Sequence, residues 1–212
     1  MNSLRINRMK WSELVWSVLA EAGKTPARVL ETAESADWLR AGADYDTGSL
    51  ALRDVERVYS IARYFQPRVV AEVGTFIGRS TAALAYGMRE GVIHTCDGSN
   101  DIELPPFNHQ VEVIQYAKTL STDMFKKLSN ESATVDLFYI DGRLQPEDVT
   151  YMAGLSHSGT LFVLDDFEGL EKGVSNASLL TAQWPNHFLV YPAHGDKTAI
   201  LIPATTIQFV RQ

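Results

Sequence analysis

The chain of 212 residues has a single cysteine, Cys96. That excludes an internal disulfide and a zinc site built on thiolates, and it fits a reducing compartment, so a cytoplasmic protein is expected. No apolar run approaches the roughly 20 residues of a membrane span. The segment WSELVWSVLA contains Glu13 and lacks a small-residue cleavage pattern, so neither a membrane anchor nor a secretion signal is expected there. Without such a signal, the glycosylation triplets at Asn130 and Asn176 read as chance matches. Lys/Arg-rich runs are missing too, and the net charge is −7 with a pI near 5.2. Such a chain has no means of releasing counterions from a polyanion, which argues against nucleic acid as a partner. Neither G-x-G-x-x-G nor G-x-x-x-x-G-K-[ST] occurs, so a phosphate cradle of either kind is not expected. No repeat, low-complexity tract or linker divides the chain.

What is present is 45% hydrophobic and 21% charged composition, enough for one globular unit with a sizeable core. Residues 1–66 read as an N-terminal helical cap. Trp11, Leu14, Val15, Val18 and Leu19 share one helical face, Thr25-Pro26 offers an N-cap and first turn for a helix over 26–39, and Leu50 to Phe65 give a third helix ending before Pro67. Over 67–212 the apolar runs RVVAEV, GVIHTC, VEVIQY, VDLFYI and TLFVLD alternate with helix-length segments, the signature of a parallel sheet covered on both faces. Pro105-Pro106 predicts one abbreviated crossover, and HFLVYPAHGDKTAILIP predicts a terminal antiparallel pair after a helix near 170–183. The expected fold is therefore α/β, doubly wound and Rossmann-like. Its seven-stranded sheet is mostly parallel with an antiparallel last strand.

Two places carry chemistry. AEVGTFIGRSTAALA places Glu72, Gly74 and Gly78 in the pattern E-x-G-x-x-x-G between a strand and a helix. Glycines permit close approach of a ligand, the helix N-terminus presents free N–H groups, and Ser80 and Thr81 add hydroxyls. Asp97, 23 positions after Gly74, stands at the neighbouring strand tip, where an acid can hold ribose hydroxyls. A plain turn without a ligand is the alternative. The second place pairs YIDG with VLDDF: adjacent strand tips bring Asp141 beside Asp165, with Asp166 at the bend. Three converging carboxylates repel unless a cation neutralises them, and oxygen ligands suit Mg²⁺ or Mn²⁺. The alternative is a solvated cluster in which Asp165 or Asp166 caps a helix.

These motifs resemble those of class I S-adenosylmethionine-dependent methyltransferases, over residues 68 to about 203. The resemblance implies that Glu72, Gly74, Thr75 and Gly78 wrap the methionine part of the cofactor, with Ser80 nearby, and that Asp97 holds the ribose. It also implies that Leu120-Ser121-Thr122-Asp123 contacts the adenine. FYIDG with VLDDF is similar to the metal-dependent O-methyltransferases of the catechol and sugar or antibiotic types. This implies metal ligation by Asp141, Asp165 and Asp166, and O-methylation of a small-molecule acceptor. The catechol-type lysine three positions after the first aspartate is replaced by Leu144, which leaves Asp141 and His194 as candidate bases, with His109 and His157 weaker ones. Arg143 and the segment Trp38 to Ser49 are candidates for substrate or lid contacts. Metal-independent methyl transfer, a nicotinamide-dependent oxidoreductase and a non-catalytic binding module remain as rival readings, and nothing in the sequence excludes a homo-oligomer.

Overall fold

The computed structural model describes residues 2–6, 11–24, 50–99, 103–104, 106–192 and 196–209. The five apolar runs form β2 (Val69–Val73), β3 (Gly91–Asp97), β4 (Val111–Ala117), β5 (Val135–Ile140) and β6 (Ser156–Leu164), all parallel to one another. The last runs form β7 (His187–Val190) and β8 (Ala199–Pro203), and β8 is antiparallel to both β6 and β7. The seven strands lie in the order β4-β3-β2-β5-β6-β8-β7, the mostly parallel sheet that the sequence predicts.

Helices cover both faces, which is why the strands are apolar on both. On one side Val70, Leu137, Tyr139, Leu161 and Val163 pack against α1 (Trp11–Ala22), α2 (Leu52–Phe65) and α3 (Arg79–Gly87). On the other, Ala71, Val73, Phe138, Ile140, Phe162 and Leu164 pack against α4 (Ser121–Asn130), α5 (Pro146–Leu155) and α6 (Gly173–Gln183). Phe138 and Phe162 stack there with centroids 5.4 Å apart, and Phe125 meets Phe138 edge-on at 5.7 Å. Local signals agree with these elements. The chain leaves α2 through a left-handed Gln66 just before Pro67, and α5 opens with Pro146 inside a capping box of Gln145 and Asp148. No described helix is long and apolar enough to cross a membrane.

The N-terminal stretch departs from the all-helical expectation. Residues Leu4–Ile6 form β1, which pairs in parallel with β9 (Ile207–Phe209) in a separate two-stranded sheet. Three residues are too few to show a period of two, and the partner lies at the far end of the sequence, so no local signal marks the pair. Leu4 is fully buried and joins the α1–α2 side of the core. The described residues between β3 and β4 form no helix, as Pro105-Pro106 predicts. The predicted helix over 26–39 and the segment Trp38 to Ser49 lie outside the described residues.

Because β1 anchors through Leu4, Leu4→Ala should destabilise the protein by about 2–4 kcal/mol in denaturant unfolding, whereas Arg5→Ala, at an exposed position, should change stability by less than about 0.5 kcal/mol.

Candidate functional site

The strand order reverses between β2 and β5, the point at which open α/β sheets receive ligands at their carboxyl edge. Backbone pairing continues one residue past the strands. Asp165 N–H donates to Ile140 O at 3.0 Å, Asp141 N–H to Val73 O at 2.9 Å and Gly74 N–H to Cys96 O at 2.9 Å. Asp165, Asp141, Gly74 and Asp97 therefore stand in one row across four adjacent strand tips.

The turn after β2 is built from left-handed residues, with φ of 100° at Gly74, 42° at Phe76 and 79° at Gly78. A Cβ at Gly74 would stand 3.2 Å from the Asp141 carbonyl oxygen, in a conformation side chains rarely adopt, so glycine is required there. The Asp97 carboxylate pins this turn, accepting from Phe76 N–H at 2.8 Å and from both N–H and hydroxyl of Ser99 at 2.9 Å. Glu72 lies fully buried beneath the turn. Its Oε2 accepts the Thr81 hydroxyl at 2.5 Å, and its Oε1 has no partner. Burial pushes its pKa up to about 7 against hydrogen bonds from Ser80, Thr81 and Thr95. Thr75 and Thr95 share a hydroxyl contact of 2.6 Å, and Gly74, Thr75, Phe76, Ser80 and Asp141 line a narrow cleft. The Ser121 and Thr122 hydroxyls, by contrast, both donate to buried Asp148, at 2.9 and 2.5 Å, and dock α4 on α5. The exposed Leu120 lies beside Gly98, next to Asp97.

At the end of β6 a left-handed Asp166, φ 53°, breaks the alternation that would send neighbouring side chains to opposite faces. One carboxylate oxygen each of Asp141, Asp165 and Asp166 then lies within 4.8 Å of the others. Asp165 is buried with Oδ1 unpartnered, and burial raises its pKa well above the ordinary value, with Asp141 and Asp166 adding to the shift. Burial likewise lifts Asp141 to about 6, although Lys172 opposes the shift. Neither Asp165 nor Asp166 caps the next helix, since α6 starts at Gly173 with Lys172 as its N-cap.

Lys172 is the residue that sequence reasoning missed. Its Nζ donates to Asp141 Oδ1 at 3.0 Å and to Asp166 Oδ2 at 2.8 Å. Three positions after Asp141 stands Leu144, buried in the core, and no motif marks a lysine reaching back from the start of the next helix. His157, paired with Asp136 at 3.0 Å at the start of β6, and His109, in the turn before β4, sit at the opposite edge from the acids. A hollow of about 620 Å³ near His157, Trp184 and His187 belongs to that remote edge as well. Arg143 forms an exposed ion pair with Glu171 at 3.1 Å. His194, a candidate base in the sequence, lies outside the described residues.

No protein-family signature matches the chain, and neither does any curated protein. Solved structures do. An O-methyltransferase from Bacillus cereus, in complex with S-adenosylhomocysteine, is 19% identical with a TM-score of 0.55, over 84% of this chain and 89% of that one. An O-methyltransferase of tomaymycin synthesis from Streptomyces achromogenes, in complex with S-adenosylmethionine, is 19% identical with a TM-score of 0.51, over 86% and 90%. A methyltransferase from Podospora anserina bound to S-adenosylhomocysteine is 15% identical with a TM-score of 0.53, over 96% and 99%. At these identities the likeness is one of fold.

Glu72 holds its proton more tightly folded than unfolded, so its contribution to stability is present below about pH 4.5 and is lost as pH rises through about 7. Glu72→Gln should remove a fall on the order of 3 kcal/mol across that window, read as a shallower pH dependence of the urea midpoint than in wild type.

Proposed function

We propose that the protein is an S-adenosylmethionine-dependent O-methyltransferase that modifies a hydroxyl of a small molecule, a sugar or natural-product scaffold, with Mg²⁺ or Mn²⁺ held by Asp141, Asp165 and Asp166. The observation that carries this reading is the single row in which Gly74, Asp97, Asp141 and Asp165 occupy adjacent strand tips. The fold likeness to O-methyltransferases solved with this cofactor or its demethylated product supports it.

The residues present suit both groups. The turn of Gly74, Thr75 and Gly78 and the buried Glu72 would hold the methionine part of the cofactor, and Asp97 beside Leu120 its ribose and adenine parts. The set of donors for an ion is all oxygen, and the buried, unpartnered Oδ1 of Asp165 is a ligand atom without another use in the fold. When bound, the cofactor supplies an electrophilic methyl on a cationic sulfonium, and the ion supplies Lewis-acid stabilisation of an acceptor oxygen. The chain's own work is placement. A rigid row of strand tips fixes the distance between the two binding places, which makes orientation its main contribution to rate. The burial that raises the pKa of Asp141 and Asp165 marks a poorly solvated place, which would favour a transfer in which charge is consumed. Asp141, with its pKa lifted to about 6, is ionised at neutral pH and is a candidate acceptor of the hydroxyl proton; His194 is a second.

Asp97→Ala removes a charged hydrogen-bond acceptor and should weaken S-adenosylhomocysteine binding by about tenfold to hundredfold in calorimetric titration. Chelation should abolish methyl transfer to a vicinal diol, and added Mg²⁺ should restore it; turnover that persists in excess chelator would remove the ion from the mechanism.

A further inference from the structure

Lys172 joins two of the three acids and leaves the third alone. Its ammonium sits 3.0 Å from Asp141 Oδ1 and 2.8 Å from Asp166 Oδ2, whereas Asp165 Oδ1 is buried with no partner. Its place in the chain runs against local electrostatics. As the N-cap of α6 it holds a positive charge at the helix end whose free N–H groups favour an anion. The location makes sense only through the carboxylates opposite. The backbone there leaves little freedom, since a Cβ at Gly173 would come within 2.7 Å of the Asp165 carbonyl oxygen and 2.8 Å of the Asp166 backbone. The start of α6 is thus pressed onto the Asp165-Asp166 bend, and the Lys172 side chain has to fold back over the cluster.

We propose that Lys172 is the resident counter-cation of this cluster, holding Asp141 and Asp166 in place while no ion is bound, and that a divalent cation enters only by displacing its ammonium. The proposal rests on the metal part of the function above and adds a competitor to it. Three carboxylates and one ammonium leave an excess negative charge around the buried Asp165, so the cluster is held together without being satisfied. An ammonium held by Asp141 and Asp166 and an ion ligated by all three acids compete for the same two carboxylates, which leaves two unscreened cations too close together. The Lys172 side chain is 36% exposed, so it has a route to solvent when it leaves. The exchange keeps the cluster intact when empty and lowers its affinity for the ion.

The test is Mn²⁺ binding, followed by electron paramagnetic resonance of the free ion, to the full chain as wild type, Lys172→Met and Lys172→Arg. Lys172→Met keeps the side-chain length without the charge and should bind Mn²⁺ at least about tenfold more tightly. Without metal it should melt at a lower temperature than wild type and regain stability on adding Mn²⁺. Lys172→Arg keeps the cation and should bind no more tightly than wild type. Unchanged or weaker Mn²⁺ affinity in Lys172→Met, or equal tightening by both variants, overturns the displacement. If no form binds Mn²⁺, the proposal falls together with the metal role. Calorimetric titration with S-adenosylhomocysteine then decides separately whether the methyltransferase reading stands.

Discussion

The in-register ending of four parallel strands governs everything at the candidate site. Parallel neighbours need connections that return to the far edge of the sheet, and here α3 joins β2 to β3, α4 joins β4 to β5 and α5 joins β5 to β6. The hydrogen-bond ladder then runs one residue further, through Gly74, Asp141 and Asp165. Spacing between the glycine turn and the acids is set by the separation of neighbouring strands, about 4.8 Å for each step. Loops do not set that distance, so the site inherits the stiffness of the sheet. Its residues come from segments scattered along the sequence, yet they behave as one rigid edge.

Electrostatics follows from the same edge. Strand tips under helices are poorly solvated, so Glu72, Asp141 and Asp165 all feel burial as the main influence on their protonation. The Thr81 hydroxyl answers one oxygen of the first and leaves its Oε1 without a partner, and an ammonium answers the second. The third has a buried oxygen that no described side chain satisfies. Such an atom costs stability, and beside two further carboxylates it is a place where a ligand would complete the set.

Much of this was legible in the sequence because it rests on periodicity and on short-range signals. Apolar runs alternating with helical segments gave the parallel sheet, and two neighbouring tips ending in aspartate gave the acid cluster. The sequence also posed a difficulty that only geometry resolves: adjacent Asp165 and Asp166 should face opposite ways, and they converge because Asp166 adopts a left-handed backbone. What escaped was non-local. Lys172 reaches the acids from the next helix, and nothing in its neighbours distinguishes it from a surface lysine. The resemblance implied an adenine contact from Leu120-Ser121-Thr122-Asp123, and the Ser121 and Thr122 hydroxyls are engaged by Asp148 on another helix, a partner no local signal marks.

The pairing of β1 with β9 bears on how the molecule comes to exist. Leu4–Ile6 find their partners about 200 residues later, in Ile207–Phe209. During synthesis the strand Leu4–Ile6 has no β9 to pair with until residues 207–209 have been made. The sheet that carries the candidate site can assemble earlier, from segments adjacent in order, leaving this small ribbon as a late closure. A chain in which residues 207–209 have yet to be added would thus carry the strand tips of the candidate site with Leu4, a core residue, still without its β9 partner.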